Sequence, residues 1–245
     1  MDEKTLYVVG IGPGEYEQMT FKAAGVLNRS QILVGYTLYI DLIREYFPGK
    51  EYMATPMTRE VDRCRMAFEK ADEGYAVSMV CSGDGGIYGM AGLILELAEQ
   101  YPEVSVEVVA GVTAASSGGA VLGAPVCHDF AVISLSDRLT PKELIKKRLE
   151  CAAMSDMVIC LYNPASRHRK DYLRWACEVV GSYQSPDTVC GLVRNIGREG
   201  ETWKTMTLRE LTETEADMFT TVYIGSSRTV IRGGRMITPR GYEYV

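Results

Sequence analysis

Short apolar, β-branched runs recur along the first half of the chain at 5–9 (TLYVV), 31–34 (QILV), 76–81 (AVSMVC) and 104–109 (VSVEVV). Their lengths predict buried strands, and segments of helical period separate them. Over 58–73, Val61, Cys64, Phe68 and Ala71 recur at near-helical spacing, while Glu60, Asp62, Arg63 and Lys70 fall on the opposite face. This predicts a half-buried helix. A second set of elements follows residue 120: FAVISL (130–135), a helix opened by Thr140 and Pro141, MVICLY (157–162), a helix to about Gly181, TVCGLV (188–193) and FTTVYIG (219–225). Thr140 is the expected N-cap, with Pro141 and Glu143 behind it.

This alternation predicts an α/β fold. The 245 residues lie near the size, roughly 250–300 residues, at which one core gives way to two. Two α/β domains are therefore expected, 1–120 and 121–245. With no Pro/Gly/Ser-rich linker, the two should pack directly with a cleft between them, a favoured place for ligands.

Composition narrows the function classes. Apolar residues make up 47% and charged residues 24%, close to the average of folded soluble proteins. The net charge of −6 repels a polyanion, so no nucleic-acid partner is expected. No apolar run approaches a membrane span. Asp2 and Glu3 stand where a secretory signal needs a basic start, so a cytoplasmic enzyme without membrane contact is expected. The cysteines at 64, 81, 127, 151, 160, 177 and 190 are odd in number and contain no C-x-x-C, which argues against a disulfide framework. Cys81, Cys160 and Cys190 sit in apolar runs and read as small buried thiols. His128 and His168 are too few and too separated to form a zinc site with them, so no protein-bound metal is expected.

Four motifs carry candidate chemistry, each placed after an expected strand. In VVGIGPG, Gly10, Gly12 and Gly14 let a backbone approach a ligand closely, with Pro13 setting the loop. The spacing is not G-x-G-x-x-G, the next strand ends in Gly35-Tyr36-Thr37 without an acid, and no G-x-x-x-x-G-K-[ST] occurs. In CSGDGGIYGMAG (81–92), Ser82 and Asp84 reach a strand's C-terminal edge, where open α/β sheets hold ligands, although Asp84 also suits a plain turn. In 110–137, Thr113 suits an N-cap for a helix over 114–122, whose N-terminus could also bind a carboxylate. A direct dyad of His128 and Asp129 is not expected, because neighbouring strand residues face opposite ways. In LYNPASRHR (161–169), Arg167 and Arg169 suit either a solvated helix face or bidentate pairing with substrate carboxylates.

Taken together, GIGPG, SGDGGIYGMAG, GVTAA, the GAPVCHDFAVISLSD segment with its following LTP, LYNPASRHR and MITPRGY resemble the tetrapyrrole methyltransferases, in order over nearly the whole chain. The last three, with VGYTLYIDL, are similar to the C17-methyltransferase branch of the corrin pathway. The resemblance implies a homodimer, S-adenosylmethionine folded in the cleft, and a tetrapyrrole carbon as methyl acceptor, with any cobalt carried by the substrate. Donor-binding positions carry over to Pro13, Ser82, Gly83, Asp84, Ile87, Thr113, Ala114, Asn163 and Gly197. Where relatives acting on uroporphyrinogen have an aspartate proposed as proton acceptor, this chain has Tyr36. The branch also contracts the macrocycle and forms a lactone. For that step Tyr36, His128, Asp129, Ser136 and Asp137 are the expected acid–base region. Arg59, Arg138, Arg167 and Arg169 are the expected cations for the substrate's carboxylates. The competing readings are a sibling enzyme acting at another carbon such as C11, and an RNA methyltransferase of the same superfamily. The second would need a basic stripe that is not seen.

Overall fold

The computed structural model describes residues 4–166 and 168–242. The chain divides into two compact units at Thr113 and Ala114. In the first, β1 (Thr5–Gly10), α1 (Phe21–Arg29), β2 (Ile32–Tyr36), α2 (Thr37–Ile43), β3 (Glu51–Thr55), α3 (Glu60–Asp72), β4 (Val77–Cys81), α4 (Ala91–Ala98) and β5 (Ser105–Val109) build a sheet of order β3-β2-β4-β1-β5. Every neighbouring pair is parallel, so each strand needs a crossover to the next, and the helices supply most of these. The alternation of strand side chains sends Val8, Val34 and Met79 to one face, packed with Phe68 and Ile94. Val9, Leu33 and Val80 go to the other, packed with Val26, Leu27 and Ile40.

α3 differs from the expectation on one point that matters later. Val61 is 42% exposed, whereas Arg63 is 4% exposed and shares the buried face with Cys64, Ala67, Phe68 and Ala71. Apolar periodicity cannot anticipate this, because the guanidinium is buried against polar groups at the sheet's edge rather than among aliphatic side chains.

The second unit contains α5 (Ala114–Leu122), β6 (Gly123–Ala124), β7 (Phe130–Ser134), α6 (Lys142–Met154), β8 (Val158–Tyr162), α7 (Tyr172–Gly181), β9 (Val189–Arg194), β10 (Thr202–Thr207), α8 (Leu208–Thr212), β11 (Thr220–Ile224), β12 (Val230–Arg232) and β13 (Arg235–Ile237). Its main sheet has the order β10-β9-β11-β8-β7, with only β7 and β8 parallel. A small sheet of order β12-β13-β6 stands beside it. The boundary falls ahead of α5 rather than near residue 120 because α5 packs on this sheet. Tyr223 is fully buried, and its hydroxyl lies 2.7 Å from the Ala114 carbonyl and 3.1 Å from that of Ala115.

Two further differences are local. The N-cap of α6 is Pro141, not Thr140, and its carbonyl accepts from the amides of Leu144 and Ile145. α7 starts at Tyr172, so Arg169 precedes the helix and is not on a helix face. The edge strands β3 and β10 escaped the sequence pattern because their half-exposed positions interrupt any apolar run. No helix among the described residues is long and apolar enough to cross a membrane.

Candidate active site

Three loops meet at the C-terminal edge of the first sheet. Gly12 and Gly83 exchange both backbone hydrogen bonds, at 3.1 and 2.7 Å, and the Ile11 amide donates to the Cys81 carbonyl at 2.9 Å. Asp84 joins the third loop to this pair. Its Oδ1 accepts from the amides of Gly86 (2.8 Å) and Ile87 (3.2 Å), and its Oδ2 accepts from the amide of Gly111 (2.9 Å). Glycine is required at 111, because a Cβ there would stand 2.1 Å from the Gly83 carbonyl oxygen and 2.6 Å from the Gly10 carbonyl carbon. Asp84 is thus both the turn residue and a tie between two strand-end loops. Pro13 is buried beside this clamp in sequence, Ser82 and Thr113 are half-buried, and Ile87 is exposed.

Tyr36 ends β2 on the same edge, with its ring edge-on to Tyr39 at 5.1 Å. Arg59, at the N-cap of α3, is exposed and forms an ion pair with Asp62. The cation that does reach the sheet edge is Arg63, which sequence reasoning left on the far face of its helix. Its Nε donates to Thr55 Oγ1 at 2.8 Å and its Nη2 to the Pro56 carbonyl at 3.0 Å. The one available signal was an arginine adjacent to Cys64 and about one turn before Ala67.

In the second unit, Ser134 ends β7 and its hydroxyl accepts from the Asn163 side-chain amide at 2.9 Å, joining the ends of the parallel pair β7 and β8. Asn163 has φ 53°, a left-handed conformation that asparagine tolerates better than most residues. Beyond it, Arg169 Nη1 donates to Ser136 Oγ at 3.0 Å and to Asp137 Oδ1 at 3.2 Å, and the Tyr172 hydroxyl donates to Asp137 Oδ2 at 2.6 Å. The Tyr172 hydrogen bond, with the bond and charge of Arg169 adding to it, holds the Asp137 carboxyl below the usual range against partial desolvation. The same contact pushes the Tyr172 phenol up. Asp137 is therefore an ionised acceptor, and Arg169 has an internal carboxylate partner. Arg138 is exposed, and Arg167 lies outside the described residues.

Ala114 opens α5, where the Tyr162 hydroxyl accepts from the Ala115 amide at 2.6 Å and so brings Ala114 near the start of the Asn163 loop. The Gly197 amide donates to Glu201 at 2.8 Å, and its neighbour Ile196 packs in one core with Ala115 and Tyr223.

The structure splits the expected acid–base region. His128 and Asp129 precede β7, whereas Ser136 and Asp137 follow it, so the length of a strand separates the pairs. His128 and Asp129 line a pocket with Asp156, Ser226, Arg228 and Thr238 at the N-terminal end of β7 and β8. The sequence argument against their contact also fails, because both precede β7, with His128 in a bend, and neither lies on a strand. His128 Nδ1 stands 3.4 Å from Asp129 Oδ2 and accepts the Asp129 amide at 2.9 Å. Both side chains are exposed, and a neutral imidazole accepting at Nδ1 carries its proton on Nε2, away from that carboxylate.

The model of the tetrapyrrole (corrin/porphyrin) methylases matches residues 5–212. The chain belongs to this family. It is a methyltransferase with the family's α/β fold. It is 43% identical to the probable cobalt-factor III C(17)-methyltransferase of Salmonella typhimurium, over 97% of this chain and 99% of that one. It is 44% identical to the cobalamin biosynthesis protein CbiHC of Archaeoglobus fulgidus, of which it spans 53%. The crystal structure of the methyltransferase CobJ superposes with a TM-score of 0.88 at 32% identity, over 96% of this chain and 99% of that one.

Proposed function

We propose that this methyltransferase moves the methyl group of S-adenosylmethionine to C17 of cobalt-factor III, with contraction of the macrocycle, in cobalamin biosynthesis. The observation that carries this reading is the near full-length similarity to the Salmonella protein named as a probable cobalt-factor III C(17)-methyltransferase. A Methanocaldococcus jannaschii relative of the same name, 41% identical over 97% of each chain, supports it. Both names specify a cobalt-bearing substrate, which favours that macrocycle over metal-free precorrin-3B.

The bound donor supplies a sulfonium whose methyl is already electrophilic. The protein's task is then alignment and exclusion of water. The clamp of Gly83, Asp84 and Gly111 holds backbone at the edge of a parallel sheet, where α/β proteins bind ligands. Pro13, Ser82, Gly83, Asp84, Ile87 and Thr113 are the proposed donor positions of the first unit, and Ala114, Asn163 and Gly197 those of the second. For ring contraction, Tyr36 at the end of β2 and Ser136 just beyond β7 are the proposed hydroxyls, and the ionised Asp137 suits proton acceptance rather than donation.

Anaerobic incubation with a ¹³C-methyl donor, against cobalt-factor III and precorrin-3B in parallel, tests the assignment by NMR. The expected product carries the label on C17 of a contracted ring and forms faster from the cobalt substrate. Label at C11 would move the chain to a sibling reaction, and turnover of precorrin-3B alone would reverse the metal assignment.

A further inference from the structure

Arg63 is a buried cation whose protein partners are all neutral. Arginine is seldom fully buried unless paired, because its charge must be compensated once out of water. Here Arg63 as a whole residue is 4% exposed, and its hydrogen-bond partners among the described residues are all neutral. Nε and Nη2 each have one oxygen acceptor, Thr55 Oγ1 and the Pro56 carbonyl. Nη1 has only the thioether of Met90 at 4.0 Å, a weak acceptor. The Tyr36 ring stands 6.0 Å from the guanidinium carbon, at the limit of a cation–π contact.

The surroundings give this cation a direction. Tyr36 and Thr55 end β2 and β3, and Met90 closes the loop that carries Asp84, so all three belong to the edge of the sheet that holds the donor loops. Residues 86–89 are exposed and Met90 is half-buried. A methionine side chain is unbranched and moves readily between rotamers, and its sulfur is lost from Nη1 at little cost. An arginine fork with a free arm behind a displaceable thioether suits a carboxylate.

We propose that Arg63 anchors a peripheral carboxylate of the tetrapyrrole substrate, which takes the place of the Met90 sulfur at Nη1 and passes beside the Tyr36 ring. This rests on the functional reading above. Arg63 is then the specificity-determining cation of the first unit, ahead of the exposed Arg59, whose charge Asp62 already meets.

Equilibrium binding separates this from a structural role. Wild type, Arg63→Met and Arg63→Lys are titrated with cobalt-factor III, with its permethyl ester and with S-adenosylhomocysteine. Loss of a charge-assisted pair predicts about 10- to 100-fold weaker binding of the free acid by Arg63→Met. The ester and S-adenosylhomocysteine should bind all three proteins alike. Arg63→Lys keeps the buried charge without the fork and should lose acid affinity to a smaller degree, which carries the test if Arg63→Met does not fold. Free-acid binding that survives in every folded variant overturns the inference alone, as does an equal loss for acid and ester. A wild type that binds no cobalt-factor III overturns both this inference and the functional reading.

Discussion

Asp84 accepts three backbone amides from two loops, so its side chain acts on the site through the backbone it holds. Removing the carboxylate leaves those amides without their acceptor, at about 1–3 kcal/mol for a buried group, less where water reaches it. Asp84→Ala should therefore weaken S-adenosylmethionine binding, read by titration calorimetry, and lower the urea midpoint in the same protein. Asp84→Asn should also fail to restore binding, because an amide that offers its NH₂ group to one loop has no acceptor there. Normal affinity in Asp84→Asn would show that the Gly111 tie is dispensable. Its place in a loop at a strand's end was legible from the apolar run before it, but its tie to a second loop was not, because the amide of Gly111 is 27 residues away.

Elements show the same dependence on distant partners. α5 contains two adjacent glycines, Gly118 and Gly119, which a propensity argument marks as weak points of a helix. Packing explains Gly118: a Cβ would stand 2.5 Å from the Tyr223 hydroxyl and 2.7 Å from Ile196 Cδ1. Gly118→Ala should destabilise the protein by about 1–3 kcal/mol in urea unfolding, despite the better helix former, because overpacking outweighs a propensity gain of about 1 kcal/mol. In a Tyr223→Phe background the added methyl has more room, so the same substitution should cost less, and additivity of the two would refute the contact. α3 illustrates the reverse case. Its position was readable from periodicity, yet periodicity put Arg63 on the wrong face, since its oxygen acceptors came from the last residue of β3 and the residue after it.

Over the whole molecule, the separate cores decide which thiols react. Cys64, Cys81, Cys160, Cys177 and Cys190 are buried, whereas Cys127 and Cys151 are exposed. Burial pushes the thiol of Cys81 up to about 11 and those of Cys64, Cys160 and Cys177 to about 12, which removes the reactive thiolate at neutral pH. A chromogenic disulfide reagent should label two thiols rapidly in the native protein and seven in guanidinium. Rapid labelling of more than two would contradict the packing of these cores.

What the sequence determined by itself was whatever depends on near neighbours. Apolar runs of strand length, helical period and glycine-bearing strand ends identify the α/β class, most strands, and the loops at Gly12, Gly83 and Gly111, because burial and backbone sterics act locally. Ordered motifs were enough to recognise the family. Only the tertiary structure decided which side chains share a place. β7 runs between His128–Asp129 and Ser136–Asp137 and so holds these pairs apart, while parallel pairing brings Ser134 and Asn163 together. The burial of Arg63 and the ionised state of Asp137 likewise follow from partners on other elements. The physical reason is that hydrogen bonding and electrostatics depend on distance in space, and a strand or crossover converts small separations in sequence into large ones in space, and the reverse.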